Sequence, residues 1–382
     1  MMNIKKESSE QFTVFLRKFA SLKLTVFCIL FLIILVFWGT IYQTNHGLYQ
    51  AQQRFFYSWY FFLFGFIPLP GTVFISFILS LNLIASLFFR ISFKLSNIGN
   101  IITHLGLIIL LLGGGVTLFF SVNSSLVLKE GQTKHMSSVS GKWEVAVWKK
   151  GNDNTQRTVY AFDVTEIQQK KTFILDTIEL EIMKFYTNCF PVFAKSNEKS
   201  SFINSSGIIN LRKIKTSLEA GNNIAGTIFK VRSGNKSEKI LLFSRDKYPT
   251  QLSINKKVFN FKLRKKTYIL PIKIKLKDFR IKKYLNSNIV KSYESIVEIS
   301  NETGMTRDVK ISMNKPLRYE NLTFFQSSYS IDSDGTEYSI FSVVKNSGRL
   351  LPYISSLFIF FGLAIHFIIM FYTKRRKLGG TK

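Results

Sequence analysis

The chain has 382 residues, 46% of them hydrophobic and 38 of them phenylalanine, and 52 basic against 23 acidic residues give a formal charge of +29. Two cysteines with no C-x-x-C between them exclude a thiol oxidoreductase of that type and a c-type cytochrome. So basic a chain invites a nucleic-acid reading, but most of the excess falls in a segment expected outside the membrane, so nucleic acid is not the expected partner; acidic lipid headgroups or an acidic face on a partner fit better, against the plain alternative of a bias toward Lys, Ile, Phe and Asn.

Residues 1–23 read as a cytoplasmic tail carrying Lys5, Lys6, Arg17, Lys18 and Lys23. Four uncharged stretches follow, each of roughly 18–25 residues, the length a helix needs to cross about 30 Å of hydrocarbon. The first is Leu24–Tyr42, too long for a signal core and ending in Trp38-Gly39-Thr40-Ile41-Tyr42, which is no small-x-small cleavage site. The second lies between Arg54 and Arg90, with Thr72–Phe89 as its clean helical part; the third is Ile98–Val122 and the fourth Leu350–Tyr372. Residues 24–122 thus hold three transmembrane helices, with an aromatic interfacial segment at 55–71. Its run Phe55-Phe56-Tyr57-Ser58-Trp59-Tyr60-Phe61-Phe62 suits an interfacial helix or, alternatively, a platform for a flat aromatic ligand. Gly113-Gly114-Gly115 in the third helix reads as close helix packing or as space for a bulky group.

Residues 123–349 read as an all-β extracytoplasmic domain. Trp143–Trp148, Ile178–Ile182, Val258–Leu263, Tyr268–Leu276, Ser295–Ile299, Val309–Met313, Leu322–Gln326 and Glu337–Val344 have strand-like alternation or β-branched and aromatic content. Turn signals separate them at Ser233-Gly234-Asn235, Asn301-Glu302-Thr303-Gly304 and Asp332-Ser333-Asp334-Gly335. The pattern implies a sandwich or twisted double sheet, with Lys195–Ile240 as a polar, weakly patterned loop or insertion. Residues 350–373 are the fourth transmembrane helix and 374–382 a basic cytoplasmic tail. The fold class is therefore a membrane protein with four transmembrane α-helices and a large all-β extracytoplasmic domain inserted between helices three and four. The basic residues at both termini and at Arg90 and Lys94 place both termini in the cytoplasm.

Chemistry is sparse. No phosphate loop, nucleophile elbow or zinc-binding spacing occurs, and no acidic residue lies between Glu10 and Glu130, which weighs against an ion-coupled transporter. Of four histidines, His104 and His366 lie in membrane helices that hold no Asp, Glu, Lys or Arg. An ionisable group at membrane depth is costly and marks a functional site by default, and imidazole is a common ligand of metals and haem iron. His104 either binds something or serves the helix end. His366 lies eight residues before Lys374, roughly 12 Å along a helix; the two histidines either share one ligand or each bond a neighbouring helix. His46 reads as a solvated loop residue, His135 as structural, and Cys189 as a buried small hydrophobe rather than a redox group.

Taken together, these residues resemble the ResB family, also called CcsB, of cytochrome c biogenesis proteins. The resemblance rests on Trp38-Gly39-Thr40-Ile41-Tyr42-Gln43, Asn82, His104-Leu105-Gly106 and Leu128-Lys129-Glu130-Gly131 in the first part of the chain. It continues through Leu276-Lys277-Asp278-Phe279, Tyr293-Glu294-Ser295, Met313–Tyr319, Phe324–Tyr329 and Gly348–Tyr353, and so covers most of the chain. It implies a system II haem-delivery subunit: an accessory part of a haem lyase or cytochrome c synthase complex rather than an enzyme alone. Its partners would be a ResC or CcsA-type membrane subunit, apocytochrome c, a thiol-reducing thioredoxin-like protein and membrane lipids. Haem b would be its cargo, with His104 as an axial ligand of the iron through its His-Leu-Gly context and His366 as a weaker candidate. Arg54, Arg90 or Lys94 would meet the propionates, although positive-inside anchoring also explains Arg90 and Lys94. The alternative is a scaffold that binds no haem and holds apocytochrome or a thiol-reducing partner beside the synthase subunit.

Overall fold

The computed structural model describes residues 17–149, 158–166, 172–175, 178–193, 200–234, 236–254, 257–301 and 303–379. Most of the expected tail 1–23, the end of the tail 374–382, the turn residues Asn235 and Glu302, and residues 195–199 of the weakly patterned stretch lie outside them. The chain divides into two compact units, Met1–Ser121 with Lys345–Lys382, and Val122–Val344.

The first unit is built on α1 (Leu22–His46), α2 (Thr72–Phe89), α3 (Ile98–Phe120) and α4 (Leu351–Gly379). All four are long and apolar enough to cross a membrane. Helix α4 runs on past Tyr372 into the segment expected as a tail. The aromatic stretch corrects the expectation of an interfacial helix. A π-helical turn over Gln52–Phe56 leads into a hairpin of β1 (Tyr60–Leu63) and β2 (Ile67–Pro70). Its tip holds Phe64 and Gly65 at φ of 52° and 86°. Phe61 is buried against Leu35 and Phe55, whereas Tyr60, Phe64 and Phe66 are exposed. Arg54 braces this hairpin, donating to the Phe62 carbonyl at 2.6 Å and lying over the Tyr42 ring.

Asn82 is fully buried in α2 and ties that helix to the start of α1. Its Oδ1 accepts from the Thr25 hydroxyl at 2.6 Å, and its Nδ2 donates to the carbonyls of Phe19 and Ser21. In hydrocarbon an amide with all these partners is affordable, and without them it is not. Helices α3 and α4 pack antiparallel along glycines seven residues apart. A Cβ at Gly99 would strike the His366 backbone, one at Gly106 would meet Ile359 at 2.8 Å, and one at Gly113 would meet Leu351 at 2.8 Å. From the other side, Gly362 abuts Thr103, where an added Cβ would lie 2.6 Å from the backbone nitrogen. Gly114 and Gly115 have nothing within 4 Å, so of the glycine triplet only Gly113 serves this packing.

The second unit carries β3 (Val122–Lys129), β4 (Thr133–Lys149), β5 (Val159–Asp163), β6 (Thr172–Leu175), β7 (Ile178–Tyr186), β8 (Cys189–Phe193), β9 (Ile208–Lys213), β10 (Gly226–Ser233) and β11 (Lys236–Phe243). After these come β12 (Thr250–Ile254), β13 (Lys257–Lys283), β14 (Val290–Ser300), β15 (Thr306–Ser312), β16 (Leu317–Tyr319), β17 (Leu322–Ile331) and β18 (Glu337–Lys345). One sheet runs β15-β14-β13-β4-β3-β18-β17-β16, with β12 on β13 and β5 on β4; a second runs β11-β10-β7-β6, and β8 pairs with β9.

Strand β13 organises both halves. Its first part places Phe259, Phe261 and Leu263 in a core shared with Leu180, Phe229 and Leu242 of the second sheet. Its later part alternates strictly, Leu270, Ile272, Ile274 and Leu276 buried and Ile269, Pro271, Lys273 and Lys275 exposed, and feeds a second core with Val297, Ile311, Phe324 and Phe341. The change occurs at Pro271. The ladder with β4 breaks between Ile269 and Ile274, where a residue without an N–H loses nothing, and pairing with β14 begins at Lys273. The stretch Lys195–Ile240, expected as a loop or insertion, supplies β9, β10 and part of β11. Ala225, Ile228, Phe229 and Val231 are all buried there.

The first core carries an ion pair at its edge. Lys266 reaches Asp163 at 2.8 Å, and Thr165 donates to the same carboxylate through both its amide and its hydroxyl. Burial pushes the Asp163 carboxyl up, but these bonds outweigh it and hold it below 3.8. A depressed carboxylate contributes stability that is present above its unfolded value and lost as pH falls through the folded one. Thermal melts of the full chain should therefore drop as pH falls below about 4, and Asp163→Asn should flatten that acid limb. An unchanged limb in the variant would show that other carboxylates set it.

Candidate functional site

His104 sits in the second turn of α3, half-buried. Its Nδ1 lies 2.9 Å from the carbonyl oxygen of Asn100, one turn back. A carbonyl only accepts, so in the neutral ring Nδ1 carries the proton and Nε2 keeps its lone pair. Among the described residues Nε2 has no partner. A backbone carbonyl that fixes tautomer and ring orientation is the usual support for a ligating imidazole.

The two membrane histidines are not on one face. Gly99 and Gly106, which touch α4, lie roughly 140° and 160° around α3 from His104 at 100° per residue. Leu111, one heptad after His104 and so on nearly the same face, packs with Cys28 of α1 and Ile75 and Leu79 of α2. His104 thus belongs to the α1–α2 side of α3. His366 packs its backbone on Gly99, and its ring opens into a cleft of about 370 Å³ with Ser96, Met370 and Lys374. His46 ends α1 rather than lying in a loop, stacked on Tyr42 at 3.9 Å with its Nδ1 3.2 Å from the Tyr42 carbonyl. His135 is exposed on β4. Arg90 and Lys94 are exposed, whereas Arg54 is engaged by its hairpin. Among the described residues no three His, Cys, Asp or Glu side chains converge as a metal site. An iron brought in a porphyrin needs only one imidazole from a given chain.

Several motif residues of the β unit meet in or beside its second core. The Gly131 amide donates to Leu276 O at 2.8 Å, the Leu276 amide to Gln132 O at 3.1 Å, and the Phe279 amide to the Glu130 carboxylate at 2.7 Å. Leu128–Gly131 and Leu276–Phe279 are therefore one structural feature, closing a bulge between Leu276 and Asp278. Tyr293 donates to Ser327 O at 2.7 Å, and its ring lies 5.6 Å from that of Tyr329. The Ser295 hydroxyl, fully buried, bonds Gln326 Oε1 at 2.7 Å and the Ser339 hydroxyl at 2.9 Å, and Gln326 Nε2 donates to Ser339 at 2.9 Å. Sequence reading singled out Ser295 and Gln326 but missed Ser339, which sits in an unremarkable alternating strand.

Gln326→Leu would strip partners from two buried hydroxyls at a cost of about 3 kcal/mol. The melting temperature should fall by about 6–12 °C for a unit of this size. A melting temperature unchanged from the parent would mean that the network is dispensable. Cys189 is buried as expected, and burial pushes its thiol up to about 11, which suits a packing residue and not a nucleophile.

Residues 251–336 match the model of the ResB-like family. Protein NrfI of Wolinella succinogenes is 32% identical over 95 residues, which are 25% of this chain and 10% of that protein. The chain thus spans a tenth of that relative's length.

Proposed function

From the match of residues 251–336 to the ResB-like family, we propose that the chain works in cytochrome c biogenesis as the haem-handling subunit of a membrane complex. In this reading haem b is cargo, passed outward and presented in reduced form for thioether attachment to apocytochrome c, with the bond-forming chemistry left to a second membrane subunit of the ResC or CcsA type. The observation that carries it is the His104 imidazole, held through Nδ1 by Asn100 with Nε2 free at membrane depth. Haem iron supplies the Lewis acid that such a nitrogen binds. His104 holds and orients the cargo; Asn100 fixes the tautomer; the open surface at Gly114 and Gly115 leaves room on α3 for a flat ring or a partner helix. The other axial ligand would come from the partner subunit, since His366 faces another cleft.

Orientation follows from charge. Arg90 and Lys94 between α2 and α3, and Lys374 and Arg375 at the end of α4, outnumber Arg54 between α1 and α2. Both termini would then be cytoplasmic and the β unit periplasmic. Copurification of the full chain with its partner tests the reading: the complex should carry a Soret band and support maturation of a c-type cytochrome. A complex with no haem absorbance, from cells that mature cytochrome c normally, would overturn it.

One observation favours the scaffold reading. The family match covers residues 251–336, wholly within the β unit, and does not include His104. If the β unit only grips apocytochrome or a thiol-reducing partner, changes at His104 are silent and changes on the β unit abolish assembly.

A further inference from the structure

The β unit has a cleft of about 520 Å³ that none of the family-matched motifs explains. Its floor is a cross-strand pair: Trp143 of β4 stands directly opposite Lys265 of β13, so both side chains rise from one face of the sheet. The turn Ala220–Asn222 and the residues Ser244 and Arg245 after β11 form its walls.

The charges around it do not balance. Arg264 is neutralised by Glu144, its Nε 2.7 Å from the carboxylate, which also accepts from the Thr267 hydroxyl at 3.0 Å. Lys265 has no such partner; its ammonium donates to the Gly221 carbonyl at 2.9 Å, and burial pushes its pKa down. Arg245 at the rim has no ion pair among the described residues. Glu219, beside the wall turn, accepts from Asn222 Nδ2 at 3.1 Å, and Asp246, next to Arg245, accepts from the Ser206 hydroxyl at 2.6 Å. Trp143 is 93% buried, and its indole N–H lacks an acceptor among the described residues. Buried indole N–H groups normally have one, because leaving a donor unpaired costs about 1–3 kcal/mol.

An ammonium and an indole N–H side by side, both lacking an anionic acceptor, ask for two oxygens sharing one negative charge. Phosphate sites draw on Arg forks or nests of free backbone amides. Here the amides of Asn222, Ile224 and Ser244 already donate to Glu219 O, Asn188 Oδ1 and Ala225 O, and the Arg264 charge is offset by Glu144 through Nε. The cleft is of ordinary size for a small ligand. We propose that it binds a small organic carboxylate, one oxygen accepting from Trp143 Nε1 and the other facing Lys265, with Arg245 at the rim.

The test uses the full chain in detergent with nitrogen-labelled tryptophan, the Trp143 indole resonance being assigned through Trp143→Phe. Succinate, added at constant ionic strength, should move that resonance saturably. Lys265→Met should weaken the apparent affinity by about tenfold, the loss expected for a charge-assisted bond. Arg245→Gln, an exposed change that keeps the fold, should weaken it by a smaller factor. No shift up to about 10 mM succinate, already weaker than most specific binding, would overturn the proposal. So would a titration unaltered in both variants, which would leave a single water as the indole's acceptor. A response to inorganic phosphate without one to succinate would overturn the carboxylate assignment.

Discussion

Replacing His104 with alanine in the complex with its partner subunit is expected to lower haem content by at least about tenfold, the factor that corresponds to losing ~1.4 kcal/mol of ligand binding. Cytochrome c maturation should fall with it. The expectation rests on one nitrogen: Nδ1 is committed to Asn100 O, and Nε2 is the single free ligand position on that face of α3 among the described residues. His104→Gly should behave likewise, with a diagnostic addition. The space left by the ring accepts free imidazole, so added imidazole should restore part of the Soret band if ligation is the role, and nothing if the side chain only supports packing. His366→Ala should leave haem content within about twofold, a difference below 0.5 kcal/mol, because its ring opens toward Ser96 and Lys374. Haem content and maturation unchanged in His104→Ala would remove the ligand role and leave the scaffold reading.

How far the sequence announced this structure depended on which physical signal each segment carries. Apolar runs long enough to span hydrocarbon have few other uses, so all four helices were visible, and Thr72–Phe89 was legible to the residue. Alternating strands such as Ile178–Ile182 and Tyr268–Leu276 were visible because one face of each is buried. The hairpin at Tyr60–Pro70 was not. Exposed aromatics on its strands erase the alternation that would have marked them, and an aromatic run at a membrane boundary suggests a helix instead. The segment Lys195–Ile240 was hidden by its polar turns, although Gly226–Val231 is almost wholly buried between β7 and β11. At the candidate site the histidine could be found from composition, but its separation from His366 could not. That separation is set by the face of α3 on which α4 docks, and the docking follows from Gly99, Gly106 and Gly113, whose common period is masked by the adjacent triplet.

Those glycines make the second large prediction. Gly99→Leu is expected to abolish the α3–α4 pair and, with it, recovery of monodisperse full-length protein from membranes. The reason is distance. A single Cβ at Gly99 already collides with backbone atoms of His366 and Gly362, which cannot rotate away as a side chain can. A leucine would force the helices apart along their length, forfeiting the van der Waals contact and close approach that hold helices together where lipid is as apolar as the side chains. Gly106→Leu should be as severe, since Ile359 contributes its backbone nitrogen at 3.0 Å as well as its side chain. Gly114→Leu and Gly115→Leu are the controls, with nothing within 4 Å of either position. They should leave the yield and melting of the isolated chain unchanged, as judged by size-exclusion profiles after heating. If Gly99→Leu is recovered as well as Gly114→Leu, the heptad contact is not what joins the helices. If Gly114→Leu melts normally alone but no longer copurifies with the partner or its haem, the open half of the triplet is the surface on which one of them rests.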